Sequence, residues 1–496
     1  MNKRTLRLLF YSLILTLVFE GITRKFIPVS FGKFLILLKD GILVLMAFFV
    51  ITMPISGSLR MLRNIYAAFA LLLAPLIAYT AVKDPILAVF GAKQYLLYPF
   101  TLFGFVLGFQ DYQKRDFVMP GRWLTVLLIP LTLLAVVQIF LPDSHRLNLS
   151  VTGEDLSAFK AGGRLRVSST FPFVAQFCYY LAILLPILWV THTLRLRTSA
   201  NTLFKKLESL VVIIPFFIVA NVITGSRLAV LTNVMVIAFA AGLLALRGKT
   251  HNIGRLIAFI AGISISVVAA RLIVPEAFEA YEARTGDHAI VDEDELSERA
   301  GHILTGWWHI YQYQDPGMFG FGIGVMSNGV QNFSGYAAAI RDRVWGETDL
   351  ANTVLEGGLY FVFIWMGTRV AIVLLCLQVY LSIQHSKLIY IAAFAMGYIL
   401  FNGLTQTLGI QPPLAIWWWL AIGLLIHIKR FEVFQTAMAR QKAKSARTSS
   451  NPVPRTSESK AASLTAADQV KSSLTKQPTL PKPPPPKEKR RPRPLS

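Results

Sequence analysis

Cysteine and charged residues are both scarce in this sequence. The only two cysteines, Cys178 and Cys376, lie in separate apolar runs, which indicates neither a disulfide framework nor a metal site. Charged residues make up 15% of the chain and hydrophobic residues 54%, so the composition is outside the range of soluble globular proteins. We therefore expect an integral membrane protein with no metal and no cofactor.

A signal-peptide cleavage site is also lacking. The N-terminal stretch "MNKRTLRLLFYSLILTLVFEGITRKF" has a basic start and an apolar run, but no small-residue cleavage motif of the A-x-A type follows. We interpret this stretch as a retained first membrane span.

Apolar runs long enough to cross about 30 Å of hydrocarbon recur through residues 1–428. They predict an all-α, polytopic transmembrane helical bundle of about 12 spans. The predicted spans are 6–20, 34–51, 65–82, 86–109, 123–141, 171–192, 208–223, 228–246, 255–274, 351–381, 388–408 and 412–428.

Lys and Arg in the short connections predict the orientation of the bundle, because cytoplasmic loops carry their excess. The N-terminal Lys3, Arg4 and Arg7 and every second connection are basic, which places both termini in the cytoplasm. Two long connections then face outward: residues 142–170, and the large loop 275–350 between the ninth and tenth spans. We expect any functional site on this outer face.

The tail over residues 429–496 is rich in Lys, Ser, Thr and Pro and ends in "PKPPPPKEKRRPRPLS". Sixteen basic against four acidic residues give it +12 of the chain's formal +22. Such a composition cannot form a core, so we expect a disordered cytoplasmic tail near anionic membrane lipids. Aromatic interleaving is lacking, so nucleic acid is not an expected partner.

Several cations lie where the positive-inside rule disfavours them. They are Lys39 and Arg271 near the outer ends of their spans, Lys93 in the outer half of the fourth span, Arg164 and Arg166 in "GGRLRVSSTF", and Arg227 in the outward turn 224–227. Each could lift its charge to the interface by snorkelling. Asp40 beside Lys39 and Glu20 near Arg24 are expected internal partners. The surplus favours an anionic ligand, and guanidinium suits phosphate because it can bind two oxygens at once.

The large outer loop has two parts of different character. Residues 276–298 are acidic, whereas the stretch from Arg299 carries a turn at 315–317 and glycines at 320, 322 and 324. Those glycines permit close approach of the backbone to a ligand. Glu347 and Asp349 stand just ahead of the tenth span, where each could also serve as a helix N-cap or first-turn acid.

Three stretches carry a resemblance to a known family: "TGSRLAVLTNVMVIAF", "ERAGHILTGWWHIYQYQDPGMFGFGIGVMSN" and "ETDLANTVLEGG". In this order they resemble the core of the bacterial O-antigen ligase and polymerase-like membrane proteins. The resemblance covers about residues 205–365, with looser similarity in "FEGITRKF", "LLKDGILVL" and "GAKQYLLYPF" upstream.

The resemblance implies a GT-C-like glycosyltransferase, independent of metal, at the outer face of the bacterial plasma (inner) membrane. Its donor would be a polyisoprenyl-pyrophosphate-linked glycan, and its acceptor a glycan or a lipid A-core-like saccharide. Arg227 and Arg299 match family arginines, and we assign both to the pyrophosphate. The other substrate-binding candidates are Arg166, Ser226, Lys93, Gly322, Gly324 and Asn352.

One position departs from the family pattern. Ligases of this family commonly place a His about nine residues before the Glu that corresponds to Glu356, and this chain has Glu347 there. A polymerase or another polysaccharide transferase is therefore at least as plausible an assignment as a ligase. We expect Glu347, and after it Asp349, to act as the base that activates the acceptor hydroxyl.

Two other classes of function remain open. A transporter or a flippase for lipid-linked glycan would also use a cationic cavity between helices, but with charges near mid-membrane. A non-catalytic scaffold would recruit partners through the proline-rich tail.

Overall fold

A computed structural model describes residues 3–450 with gaps at 112–113, 155, 157–159, 162–163, 195–206, 208, 249–253, 255–266, 269–270, 273–274, 276–277, 279–304, 345 and 347. It forms a helical unit over Met1–Gln435 and a second unit over Thr436–Ser496. The helices are α1 Lys3–Phe26, α2 Val29–Leu35, α3 Leu38–Ile51, α4 Ser58–Lys83, α5 Pro85–Leu96, α6 Phe100–Gly108, α7 Lys114–Phe140, α8 Val174–Thr193, α9 Leu210–Ile223, α10 Arg227–Leu246, α11 Gly335–Arg341, α12 Asp349–Leu381, α13 Ser386–Thr405 and α14 Pro412–Ser450. Residues 305–314 are also helical.

Eight of the described helices are long and apolar enough to cross a membrane. The bent pair α5 and α6 counts as a ninth span if its two helices cross together, and α9 is a shorter apolar helix. The described chain is therefore a multi-pass, all-helical bundle, apart from a two-residue antiparallel ladder that pairs β1 Lys160–Ala161 with β2 Arg164–Leu165. Most of the predicted ninth span, 255–274, lies outside the described residues.

The predicted second span, 34–51, corresponds largely to α3, which begins at Leu38 after a break that separates it from α2. Lys39 folds back so that its ammonium group donates to the carbonyl of Ile36 at 2.8 Å. In a continuous helix that carbonyl would accept from the N–H of Asp40. The side chain therefore satisfies the carbonyl at the break.

The predicted fourth span, 86–109, is also interrupted. Its two helices, α5 and α6, meet at an angle of 42°. Pro99 occupies the position just before α6, where its ring and its missing N–H prevent a continuous helix.

The predicted tenth span, 351–381, contains a sharp break inside α12. Gly357 and Gly358 have non-helical backbone angles, and Gly358 has a φ of 62°. Asp349 and Arg369 are 20 residues apart and yet form an ion pair. A straight helix would separate them by about 30 Å. The segment before the glycines therefore folds back against the helix that follows them.

The interior of the bundle is built from its least exposed helices, α8, α13 and α14. Helix α10 packs on α13 and α8, whereas α9 packs on α7 and α8. Helix α4 packs on α12 and α5. We call the end of the bundle where α4 ends and α5 begins the polar end.

Helix α14 continues to Ser450, beyond the predicted end of the last span at residue 428. Residues 429–447 are rich in Ala, Lys, Arg and Gln, which have high helix propensity. The structure therefore describes residues 429–450 of the predicted tail as a continuation of α14. Residues 451–496 lie outside the described residues.

Candidate functional site

A buried carboxylate, that of Glu356, lies at the break in α12. Its side chain has no exposed surface. It accepts a hydrogen bond from the hydroxyl of Tyr95 at 2.6 Å and from the backbone N–H of Met326 at 3.1 Å, and the amide of Gln94 donates at 3.5 Å. These donors, from α5 and from the glycine-rich loop, hold the carboxylate in place. We call Glu356, Tyr95, Gln94 and Met326 the Glu356 cluster.

The glycine-rich loop over residues 317–326 packs against the protein's own helices. A Cβ on Gly320 would lie 2.5 Å from the carbonyl carbon of Glu356, and one on Gly324 would lie 2.6 Å from the backbone nitrogen of Gly91. A Cβ added to Gly322 would lie 3.1 Å from its nearest neighbour, a side-chain carbon of Thr80. Gly322 and Gly324 were predicted to let the backbone approach a ligand. Their close contacts in the structure are with α4 and α5.

Backbone hydrogen bonds join this loop to the break. Phe321 donates to the carbonyl of Leu355 at 2.8 Å, and Gly322 donates to the carbonyl of Glu356 at 3.1 Å. On the other side of the loop, Ile323 donates to the Thr80 hydroxyl at 2.9 Å. The glycine-rich loop therefore stabilises the open end of the first α12 segment, where the carbonyls lack helical partners.

Asp349 is engaged in a buried ion pair. Its carboxylate contacts the guanidinium of Arg369, whose side chain is fully buried. Arg369 also donates to the carbonyls of Gly403 at 2.6 Å and of Gln406 at 3.0 Å. This geometry ties the start of α12 to the end of α13, and it favours an architectural role for Asp349 over the predicted role as second base.

Asn352 holds the chain ahead of α12. Its amide group donates to the carbonyls of Gly346 at 2.9 Å and of Thr348 at 2.7 Å. Thr348 is the N-cap of α12 and accepts from the N–H of Ala351. Glu347, our leading candidate base, lies outside the described residues, and so does Arg299. Asn352 thus organises the residues on either side of Glu347.

Lys93 belongs to an internal ion-pair network. Its ammonium group lies 2.6 Å from the carboxylate of Asp40, and Lys39 lies 3.0 Å from Glu20, which also pairs with Arg24 at 3.2 Å. The expected pairing of Lys39 with its neighbour Asp40 is wrong, because adjacent residues on a helix do not face each other. This network connects α1, α3 and α5. It also gives Lys93 a partner within the protein.

The turn between α9 and α10 presents Ser226 and Arg227 at the N-terminus of α10. Gly225, with a φ of 57°, allows the chain to reverse in four residues. The Thr224 hydroxyl accepts from the N–H of Ser226 at 3.2 Å and donates to the carbonyl of Asn221 at 2.8 Å. Ser226 and Arg227 are half-buried, whereas Thr224 is fully buried. The backbone at Arg227 is therefore fixed on both sides.

Cys178, in the first turns of α8, brings these groups together. Its thiol interacts with the hydroxyls of Ser226 and Thr224 and, electrostatically, with Arg166. Arg166, in the segment before α8, is also half-buried and belongs to the electrostatic surroundings of this thiol. We call residues 224–227, with Arg166 and Cys178, the arginine turn. A helix N-terminus beside arginine side chains is suited to bind an anion.

Residues 407–409 connect the arginine turn with the Glu356 cluster. Thr407 interacts with the hydroxyl of Tyr179, the neighbour of Cys178. Gly409 lies against the hydroxyl of Tyr95, where an added Cβ would come within 2.4 Å. Both groups of residues thus lie at the polar end of the bundle and share one loop between α13 and α14.

Two helix N-caps, Asp84 of α5 and Ser334 of α11, stabilise the rim of the polar end. Asp84 is the N-cap of α5 and accepts from the N–H groups of Ile86 and Leu87, while Ser334 donates its hydroxyl to the same carboxylate. Desolvation acts to raise the pKa of Asp84, but these hydrogen bonds hold it below its usual value. Nearby, burial lowers the pKa of Arg341, although the charge of Glu356 acts in the opposite direction.

The sequence-based reasoning missed Glu356, Tyr95 and Arg369 as site residues. Two of them had a visible signal, because an ionisable residue inside an apolar run needs an internal partner. Arg369 stands in the run 359–381, and Glu356 stands at its start. Tyr95 had no such signal, since a tyrosine among apolar residues is common.

Comparisons of this chain with protein-family models, with curated proteins and with solved structures found no match. Among the described residues, no group of three or more His, Cys, Asp or Glu side chains could hold a metal ion. The case for function therefore depends on the geometry of the polar end.

Proposed function

We propose that this protein is a membrane glycosyltransferase that transfers or polymerises a polyisoprenyl-pyrophosphate-linked oligosaccharide onto an acceptor sugar, at the outer face of the bacterial plasma membrane. The observation that carries the proposal is the arginine turn, in which Ser226 and Arg227 begin a membrane-crossing helix and Arg166 belongs to the electrostatic surroundings of the adjacent Cys178. Half-buried guanidinium groups there suit a pyrophosphate at the membrane interface.

In the proposed reaction, the acceptor hydroxyl oxygen forms a bond to the anomeric carbon of the donor. The bond between that carbon and the pyrophosphate oxygen breaks, and the lipid pyrophosphate leaves with the electron pair. Arg227 stabilises the charge that develops on the leaving group, by positioned charge in a site of low dielectric constant. Arg299 is a second candidate for this role.

The proton of the acceptor hydroxyl passes to a carboxylate. Glu347 is the proposed base, because Asp349 is paired with Arg369 and Glu356 is enclosed by its own donors. Asn352 and the Thr348 N-cap hold the chain next to this position.

Glu347→Gln should abolish glycan transfer, because the amide cannot accept the proton. The measurement is product formation from lipid-linked glycan in proteoliposomes, at equal protein abundance. Asp342→Asn is the matched control, since Asp342 is an exposed acid in the same connection. Near-normal product from Glu347→Gln would remove Glu347 from the mechanism.

The same assay distinguishes the possible reactions. Growth in glycan chain length indicates a polymerase, and transfer to a different acceptor indicates a ligase. Movement of lipid-linked glycan across the bilayer without bond cleavage would replace this proposal with a flippase.

A further inference from the structure

The glycine-rich loop begins with two apolar side chains that point away from the protein. Met318 is 54% exposed and Phe319 is 43% exposed, whereas residues 320–326 are buried or half-buried. We call residues 317–319 the loop tip. Two large apolar side chains at the tip of a well-packed loop are unfavourable in water, so the medium around them needs an explanation.

The backbone of the loop tip lies against the break in α12. A Cβ on Gly358 would lie 2.2 Å from the carbonyl oxygen of Met318 and 2.4 Å from that of Gly317, so this contact requires a glycine. The N–H of Tyr360 donates to the carbonyl of Met318 at 3.3 Å. The backbone of the tip therefore faces the protein, and its two apolar side chains face outward.

The ring of Phe319 lies between tyrosines of two membrane-crossing helices. Its centroid is 5.7 Å from that of Tyr79 in α4 and 5.6 Å from that of Tyr360 in α12. The hydroxyl of Tyr360 donates to the carbonyl of Leu72 in α4 at 2.8 Å. Tyr79 and Leu72 are both exposed and seven residues apart, so they lie on one outward face of α4.

These contacts place the loop tip below the end of α4. The helix ends at Lys83, which is four residues after Tyr79 and eleven residues after Leu72. At 1.5 Å per residue, the levels of Tyr79 and Leu72 are about 6 Å and about 16 Å below that end. One leaflet contributes about 15 Å of hydrocarbon. Phe319, which packs on Tyr79, therefore lies at the depth of the acyl chains in the leaflet at the polar end.

The carbonyls of the loop have the internal partners that this depth requires. The ammonium group of Lys83 lies 3.4 Å from the carbonyl oxygens of Gly320 and of Phe321. The hydroxyl of Tyr336 donates to the same carbonyl of Phe321 at 2.8 Å. Because hydrocarbon offers no hydrogen-bond donors, backbone carbonyls at membrane depth need donors from the protein. Those of Gly320 and Phe321 have them, and so does that of Met318.

We propose that the loop tip is a membrane anchor, in which Met318 and Phe319 insert between the acyl chains around α4 and α12 and fix the depth of the glycine-rich loop in the bilayer. Lipid is the partner of this surface because the tip continues an apolar face of the membrane-crossing helix α4 that includes the exposed Leu71 and Val82. This inference does not depend on the proposed glycan transfer, since it uses neither Arg227 nor Glu347.

The test is site-directed spin labelling of the full chain in phosphatidylcholine liposomes. A nitroxide on Met318→Cys is measured by power saturation with oxygen, which concentrates in hydrocarbon, and with a water-soluble nickel chelate. Cys178 and Cys376 are both buried, so wild-type protein taken through the same labelling measures the background. We expect the label on Met318→Cys to collide more often with oxygen than with the nickel chelate.

Two matched controls set the scale of this ratio. Leu71→Cys places the label at an exposed position in the membrane-crossing helix α4 and should give the oxygen-to-nickel ratio of hydrocarbon. Asp342→Cys places it at an exposed position after α11 and should give the ratio of water. The ratio for Met318→Cys should match that for Leu71→Cys.

A charge at the loop tip tests the anchoring role of Phe319. Adding Phe319→Asp to Met318→Cys should shift the label toward the nickel chelate, because a carboxylate is disfavoured in hydrocarbon. Phe319→Leu is the apolar control and should leave the ratio unchanged. Thermal unfolding in the same liposomes checks the folding of each variant, and the ratio for Met318→Cys decides by itself if Phe319→Asp does not fold.

A label on Met318→Cys that collides mainly with the nickel chelate would overturn the proposal, because the tip would then lie in water. A label that is shielded from both reagents would also overturn it, because the tip would then be covered by protein. An unchanged ratio in a folded Phe319→Asp variant would contradict the anchoring role of Phe319.

Discussion

The Glu356 cluster and the arginine turn lie at the same end of the bundle, but they differ in exposure. Glu356 has no exposed surface and is surrounded by donors, and the nearby pair of Asp349 and Arg369 is likewise buried. Ser226, Arg227 and Arg166 are half-buried and stand at a helix N-terminus. A fully buried carboxylate held by hydrogen bonds suits architecture, whereas half-buried cations near a helix N-terminus suit an anionic ligand.

The largest expected effect concerns Arg369. Arg369→Met leaves Asp349 as a buried charge without its partner, so we expect the free energy of unfolding to fall by about 3–5 kcal/mol. The measurement is chemical unfolding in detergent micelles, followed by tryptophan fluorescence. The double variant Asp349→Asn/Arg369→Met should recover part of the loss. A fully stable Arg369→Met protein would show that this pair is not architectural.

Glu356→Gln tests whether the buried carboxylate organises the glycine-rich loop. The amide replaces an acceptor by a donor that faces the donors of Tyr95, Gln94 and Met326. We therefore expect the free energy of unfolding to fall by about 1–3 kcal/mol, and hydrogen exchange in residues 318–326 to become faster.

Glu432→Gln is the matched control for this variant. Glu432 is also buried and accepts two backbone N–H groups, those of Gln384 and His385, in the connection between α12 and α13. It should lower stability without changing exchange in residues 318–326. If both variants increase exchange there equally, the effect is general destabilisation and Glu356 does not act on the loop.

The smallest expected effect concerns Asp84 at the rim. Asp84→Ala removes the N-cap of α5 and should lower the free energy of unfolding by about 1 kcal/mol. Because the folded-state pKa of Asp84 is below its ordinary value of 3.8, its contribution is present above that value and is lost as the pH falls through the folded pKa. The measurement is the free energy of unfolding of wild type and of Asp84→Asn between pH 3 and 6, and the difference between the two should shrink as the pH falls. A difference that is the same at every pH would contradict this prediction.

Much of the fold could be predicted from the sequence. Long apolar runs mark α4, α8, α10 and α13, because crossing a bilayer requires about 20 apolar residues in a row. The breaks in α12 and between α2 and α3 could not be predicted in this way. They depend on partners that are distant along the chain. Phe321 donates to the carbonyl of Leu355 at the break in α12, and Lys39, just after the break between α2 and α3, pairs with Glu20.

The candidate site was predictable in part. The turn 224–227 and Arg166 were singled out from the positive-inside rule alone, and in the structure Cys178 interacts with Thr224, Ser226 and Arg166. The enclosure of Glu356 was not predictable, because Tyr95 and Met326 are 261 and 30 residues away along the chain. Pairing of buried charges is a property of the folded bundle, and sequence spacing does not specify it.

The most direct test of the account is Arg227→Lys, assayed for glycan transfer in proteoliposomes at equal membrane abundance. Lysine keeps the charge but cannot bind two phosphate oxygens with a planar pair of donors. We expect transfer to fall at least about tenfold, the ratio that corresponds to about 1.4 kcal/mol. Arg63→Lys, an exposed arginine in the first turns of α4, should be unaffected. Equal transfer by Arg227→Lys and wild type would contradict the assignment of Arg227 to the pyrophosphate.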